Sequence, residues 1–205
     1  LCEAGILERY HVKRIYGMHL WPQLPAGVIG TRHEEMMARS SEVNIDITGK
    51  SAHAASYQEG CDALETACRY LCDLYAMERQ IDPAEYRLLR FGVLRSGSIR
   101  NVVSDHARLE GTMRACRDEI YDHMRDQLDA IARRYAPAQF AFSFSEGYPA
   151  LVNTPQIVDQ ALQAIPDMIL LDEPQLITED FSWYLQHVPG MFMFLGTGTG
   201  IPLHS

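Results

Sequence analysis

The sequence predicts an α/β chain in which a unit of element order βαββαβ interrupts a second α/β unit. Segments near residues 43–48, 89–93, 109–113 and 140–144 alternate apolar and polar residues with the period of a half-buried strand. Two stretches, near 61–80 and 120–135, place apolar residues every three or four positions, the spacing of one helix face. The flanks carry Pro-rich turns and helix and strand signals of their own.

In chain order, Leu1–Glu8 reads as the inside of a helix. Residues 14–20 form an apolar, β-prone run stopped by Trp21-Pro22 and the Pro25-Ala-Gly27 turn, so a buried strand ends near His19. Val43, Ile45 and Ile47 alternate with Glu42, Asn44, Asp46 and Thr48 as a strand. Leu64, Ala67, Leu71, Leu74 and Tyr75 then define an amphipathic helix. Leu89, Phe91 and Val93 make the next strand, and Leu109, Gly111 and Met113 another; the turn-rich Ser96-Gly-Ser98 and Asn101 through Asp105 separate them. Ile120, Met124, Leu128, Ile131 and Tyr135 mark the second helix, and Phe140, Phe142 and Phe144 the last strand. The order is that of the ferredoxin-like split βαβ motif, an antiparallel sheet with both helices on one face. Its predicted bounds are 41–148. Residues 1–40 and 149–205 make the interrupted unit, the latter with helices near 155–165 and 179–187 and a strand at Met191–Leu195.

Composition narrows the function classes. With 205 residues, 47% hydrophobic and 22% charged, the chain is globular in composition. Eighteen basic against 27 acidic residues give a formal charge of -9, the wrong sign for gripping phosphates, so no nucleic-acid partner is expected. Met191–Leu195, among the longest near-apolar runs, falls far short of the roughly 20 residues that span a bilayer, so no membrane partner is expected either. Five cysteines, an odd number with three on one helical stretch, do not form a secreted disulfide framework; a reducing, cytoplasmic compartment is expected. The chain opens on neither a Met nor a leader, which reads as a cut N-terminus and leaves targeting upstream of Leu1 open.

Several residues could carry chemistry. His19 closes its strand, where α/β sheets place ligand crevices, and reads either as a metal ligand or as a structural histidine. His204 follows the glycine-rich 196–200 loop, which lacks the Lys-Ser/Thr of a phosphate cradle. His53 sits among small residues past a strand end, with room for a ligand. Glu34-Glu35 and Glu179-Asp180 suggest a general base beside a ligand. Adjacent strand residues point to opposite faces, however, and Thr178-Glu-Asp before Phe181 reads as a helix start. Cys68 and Cys72, one turn apart, either pinch a metal or fill a core, and the core reading is preferred. No G-x-S-x-G elbow supports serine hydrolysis.

Taken together, Tyr16-Gly-Met-His-Leu-Trp-Pro22, Thr48-Gly-Lys-Ser-Ala-His-Ala-Ala55, Asn101-Val-Val-Ser-Asp105, Gly111-Thr-Met-Arg114, Glu179-Asp-Phe-Ser182 and Leu203-His204 stand in the order of one group. The chain resembles the zinc-dependent amidohydrolases of the aminoacylase and carboxypeptidase superfamily. In pattern it is nearest hippurate hydrolase, N-acyl-amino-acid amidohydrolases and hydrolases of indoleacetyl-amino-acid conjugates. The resemblance runs from about Leu1 to Ser205. It implies a metal-binding α/β catalytic domain, partial here, interrupted by a ferredoxin-like lid that forms a homodimer.

By the same resemblance, His19 and His204 are ligands of two divalent metal ions (Zn, Mn or Co), suited to imidazole nitrogen. His53 is the lid histidine that reaches the partner subunit's site and stabilises the oxyanion. Asn101 and Arg114 hold the substrate, the guanidinium taking its carboxylate, and Gly196 lets backbone approach the acyl amide. The implied reaction is hydrolysis of N-acyl amino acids to a carboxylic acid and a free amino acid. The family's Cys-Gly-His-Asp segment and Glu-Glu pair belong before Leu1, so the chain is expected to be a fragment, inactive alone. The alternatives are a dipeptidase or succinyl-diamine deacylase on the same scaffold, in which an acid normally replaces His19, or a non-catalytic dimerisation module.

Overall fold

The computed structural model describes residues 2–198. In chain order the elements are α1 (Ile6–Arg9), β1 (Ile15–Trp21), β2 (Ile29–Thr31), β3 (Glu34–Met37), β4 (Arg39–Thr48), α2 (Ala63–Gln80), β5 (Arg87–Ser96), β6 (His106–Ala115), α3 (Asp118–Ala132), β7 (Gln139–Phe144), β8 (Leu151–Asn153), α4 (Pro155–Ala164), β9 (Ile169–Leu170), α5 (Ser182–Leu185) and β10 (Gly190–Gly196). Short 3-10 turns cover Ala54–Glu59 and Arg133–Tyr135. The chain divides into two compact units. One runs to Arg39 and resumes at Tyr148; the other is Ser40–Gly147.

The first unit is built on a sheet of order β1-β10-β2-β9, with β1 parallel to β10. A continuous apolar strand is the pattern of one covered on both faces. β10 is that strand: Phe192 and Phe194 join Trp21, Met36, Met37 and Leu151 on one side, and Met191 and Met193 join Ile157, Val158 and Met168 on the other. Pro155 in the first turn starts α4, whose buried face is Ile157 and Val158. Buried Asn153 ties β8 to β10: its Oδ1 accepts from the Phe192 N–H at 2.7 Å, and its Nδ2 donates to the Arg32 carbonyl at 2.8 Å.

The same pattern in residues 14–20 led to the expectation of a buried strand, and β1 departs from it. Trp21 is buried and stacks on Phe194 at 4.0 Å, but Tyr16, Met18 and Leu20 are 52%, 48% and 58% exposed. Among the described residues β1 stands at the end of the sheet order with one face packed, and an apolar run alone does not distinguish one covered face from two.

The second unit has the sheet order β5-β6-β4-β7, with β4 antiparallel to β7 and β5 antiparallel to β6. One core joins the inward residues of the strands (Val43, Ile45, Ile47, Leu89, Leu109, Met113) to both helices. Ala67, Tyr70 and Leu74 come from α2, and Tyr121, Met124, Leu128 and Ile131 from α3. Both helices therefore cover one face. On the other face Arg108 bridges Asp46 at 2.7 Å and Glu110 at 2.9 Å, and this contact holds the Glu110 carboxyl below its usual range. Asp62 caps α2, its Oδ1 accepting from the Leu64 and Glu65 N–H groups.

Two glycines are required by close backbone approach. A Cβ on Gly49 would stand 2.0 Å from the Cys61 carbonyl oxygen, and one on Gly147 would stand 1.6 Å from that of Ser40.

Two other expectations are corrected. Cys68 and Cys72 are exposed rather than in the core, and only Cys116 is buried. Ala67, Tyr70 and Leu74 turn the apolar stripe of α2 inward, which leaves 68 and 72 on the opposite arc. The helix expected over 179–187 is confined to Ser182–Leu185 and has no side-chain cap.

Candidate functional site

In the first unit, His19 lies near the C-terminal end of β1, paired with Phe194, and is exposed. Its Nδ1 is 2.8 Å from the Leu20 carbonyl oxygen. A carbonyl can only accept, so Nδ1 carries the proton, and the neutral ring keeps its lone pair on Nε2. That is how a histidine must be set to offer Nε2 to a cation.

The side chains of Gly17, His19 and Trp21 share one face of β1 by strand alternation. A Cβ on Gly17 would meet the Phe181 ring at 2.9 Å and the Phe192 ring at 2.6 Å. This glycine lets the Thr178–Phe181 segment lie against the strand. The segment brings Glu179 within electrostatic reach of His19. Burial pushes the Glu179 carboxyl above its usual range and Asp180 adds to the effect, while the Phe181 backbone and His19 pull it back. Glu179 therefore belongs to the surroundings of His19 rather than to a helix cap. Its place in the Glu-Asp-Phe-Ser motif was the available signal. The other acidic pair stays apart, since Glu34 is exposed at φ 57 and Glu35 is half-buried.

Gly196 is buried at the end of β10, where a Cβ would stand 2.0 Å from the Pro25 carbonyl oxygen. The Leu24–Pro25 turn packs against this glycine. His204 lies outside the described residues. Among the described residues no three His, Cys, Asp or Glu side chains form a metal-binding group. His19 has the donor chemistry for one position of a metal site, and the rest of a ligand set is not found among them.

In the second unit, His53 follows β4 and caps the 3-10 turn at Ala54–Glu59. Its Nδ1 accepts from the Ala55 N–H at 3.1 Å. A ring nitrogen that accepts is unprotonated, so the neutral ring carries its proton on Nε2 and presents a donor. Asn101 is beside it: the Ala54 N–H donates to the Asn101 carbonyl at 2.9 Å, the Val103 N–H to that of Ala52 at 2.8 Å, and His53 bridges Val102. His53 and Asn101, 48 residues apart in sequence, thus share one loop pair.

Arg114 stands elsewhere. It lies on β6, paired with Leu88 of β5 and eight residues beyond His106, which at about 3.4 Å per residue is roughly 27 Å along the strand. That end is where the chain enters and leaves this unit, at Ser40 and Gly147; next to Arg114 on its own face, Thr112 donates to the Ser41 carbonyl at 3.3 Å. Within one copy of this unit Asn101 and Arg114 therefore lie far apart. Residues eight apart on an extended strand share a face but not a site.

The fold is that of an α/β protein with an inserted βαββαβ unit and an exposed histidine near the end of a strand. The chain belongs to peptidase family M20/M25/M40, whose model matches residues 1–205. It is 32% identical over 196 residues to the N-acetyldiaminopimelate deacetylase of Lacticaseibacillus casei, covering 91% of this chain and 51% of that protein. It is 30% identical over 204 residues to thermostable carboxypeptidase 2 of Saccharolobus solfataricus, covering 96% and 51%. Among solved structures it is similar to the YXEP protein of Bacillus subtilis, a dinuclear metal-binding peptidase of the M20 family. The TM-score is 0.78 at 26% identity, with 100% of this chain and 53% of that one covered. The chain spans about half the length of the curated relatives it matches. Among the described residues no helix is long and apolar enough to cross a membrane.

Proposed function

We propose that the whole protein is a metal-dependent amidohydrolase that cleaves N-acyl amino acids, of the hippurate, N-acetyl or indoleacetyl type, to a carboxylic acid and a free amino acid. The observation that carries this reading is the pair of fixed histidine tautomers, a lone pair on Nε2 of His19 and an N–H on Nε2 of His53. The Lacticaseibacillus relative, named a deacetylase, and the Saccharolobus relative, named a carboxypeptidase, support cleavage of an amide bond.

In this reading Ser40–Gly147 is the ferredoxin-like lid, and the unit made by the two flanking segments is a partial catalytic domain. His19 holds one of two divalent ions (Zn, Mn or Co), with His204 as a further ligand. When bound there, such ions would supply Lewis-acid polarisation of the amide carbonyl and a lowered pKa for water. His53 donates from Nε2 to the oxygen of the tetrahedral intermediate. Asn101 orients the same end of the substrate, and Arg114 holds its free carboxylate through the guanidinium fork.

One copy of the lid cannot bring both ends of β6 to one small substrate, because about 27 Å separates His106 from Arg114 along an extended strand. This spacing favours a homodimer in which two copies of the lid contribute to each site, His53 and Asn101 from one and Arg114 from the other. The compartment in this reading is the cytoplasm, and the partners are the substrate and the second copy, with no nucleic acid or membrane.

The test is hydrolysis of hippurate and N-acetyl amino acids by the full-length protein, with and without chelator. Chelator-sensitive release of the amino acid is expected. Activity that survives chelation overturns the metal dependence, and no activity with any added divalent ion overturns the reading in favour of the non-catalytic dimerisation module.

A further inference from the structure

Cys68 and Cys72 stand one turn apart on α2 with both thiols exposed. Residues four apart on a helix are surface neighbours with Cβ atoms about 5–6 Å apart. The helix beneath them is firmly held. Asp62 caps its first turn, Ala67, Tyr70 and Leu74 are fully buried on its inner face, and the Tyr70 hydroxyl donates to the Leu128 carbonyl at 2.8 Å. Two sulfurs on one soft centre, at the roughly 2.3 Å of a metal–thiolate bond, lie at most about 4.6 Å apart. Side-chain rotation alone closes the helical spacing to that distance.

The other donors nearby are engaged. Glu65 pairs with Arg69 at 2.6 Å, and Asp73 accepts from the Tyr135 hydroxyl at 3.0 Å. Cys61 lies before the helix, in a bridge with Lys50. No third ligand side chain joins the pair among the described residues. Two thiolates are too few for a four-coordinate structural zinc, and they saturate soft acceptors that take two sulfurs.

We infer that Cys68 and Cys72 form a dithiol site for a soft acceptor of the monosubstituted trivalent arsenic class, a site independent of the proposed hydrolysis. With an arsenoxide R–As=O, two S–H bonds break and two As–S bonds form. The oxide oxygen leaves as water with both protons, and neither arsenic nor sulfur changes oxidation state.

The experiment treats the full-length protein with p-aminophenylarsine oxide, washes with excess 2-mercaptoethanol, and weighs the protein by native mass spectrometry. Wild type is expected to keep one arsenical per chain through the monothiol wash and to release it to 2,3-dimercaptopropanol. Cys68→Ser and Cys72→Ser are each expected to lose it in the monothiol wash, while Cys61→Ser keeps it. Circular dichroism confirms that the variants are folded. Wild type stripped by the monothiol, or a resistant adduct surviving in either variant, overturns the inference.

Discussion

His19 and His53 are held in opposite tautomers by opposite backbone partners. The Leu20 carbonyl takes the proton-bearing Nδ1 of His19, and the Ala55 N–H takes the bare Nδ1 of His53. One ring is left with an outward lone pair and the other with an outward N–H. An imidazole titrates near neutrality and carries either role, so its neighbours decide which it presents.

His53→Ala in the full-length protein should lower turnover by about 10²–10³-fold, as loss of an oxyanion donor does. The Michaelis constant should change little and circular dichroism not at all, because the side chain is exposed. Steady-state kinetics on the best N-acyl substrate checks this.

His19→Ala should reduce the divalent metal bound per full-length chain, measured by elemental analysis after gel filtration. The exposed ring contributes little packing, so the thermal midpoint of the metal-free variant should match that of metal-free wild type. An unchanged metal content would remove His19 from the ligand set.

Glu78 and Arg90 should respond unequally to truncation. Their contact is 2.7 Å, with the Glu78 side chain 7% and the Arg90 side chain 53% exposed. Arg90→Ala strands a buried carboxylate and should cost about 2–4 kcal/mol, at or below the usual range for a broken buried pair because Arg90 is half in water. Glu78→Gln returns the guanidinium to solvent and should cost less. Urea denaturation of both variants tests the order.

Gly147→Ala should destabilise the βαββαβ unit by more than the roughly 1–3 kcal/mol typical of overpacking. The obstacle is the Ser40 backbone rather than a movable side chain. Gly92→Ala is the control, since nothing lies within 4 Å of its added carbon. Comparison of thermal midpoints separates the two.

Stability should fall in alkali. The Tyr135 hydroxyl is pushed up to about 12, first by burial and then by its hydrogen bond to Asp73, and burial also raises Tyr70. An unfolded tyrosine loses its proton near pH 10, so the native state keeps a proton that the unfolded chain has released. The contribution is whole below about pH 10 and is lost as pH rises towards 12. Urea midpoints at pH 8 and pH 11 should drop in wild type and drop less in Tyr135→Phe, with Tyr70 supplying the remainder.

Much of this architecture was legible in the residues. The alternation of Val43, Ile45 and Ile47 and the stripe of Leu64, Ala67, Leu71 and Leu74 are the footprints of elements with one buried face. Nothing comparable marks β2, β3, β8 and β9, which are two to four residues long and complete no period. The order of six motifs pointed to the family, because spacing along a chain survives where single residues are ambiguous. The exposure of Cys68 and Cys72 on α2 is not legible from residue type, because thiol hydrophobicity suggests burial, whereas the side of the helix on which a residue falls decides it.

Sequence by itself determined the class of the chain, its division around an inserted unit and the identity of the histidines, since periodicity and composition are local properties. Only the tertiary structure decided which nitrogen each histidine presents, that Glu179 stands by His19, and that Arg114 lies a strand's length from His53 and Asn101. Those depend on which backbone groups and strands meet, and contacts between residues distant in sequence are made by packing.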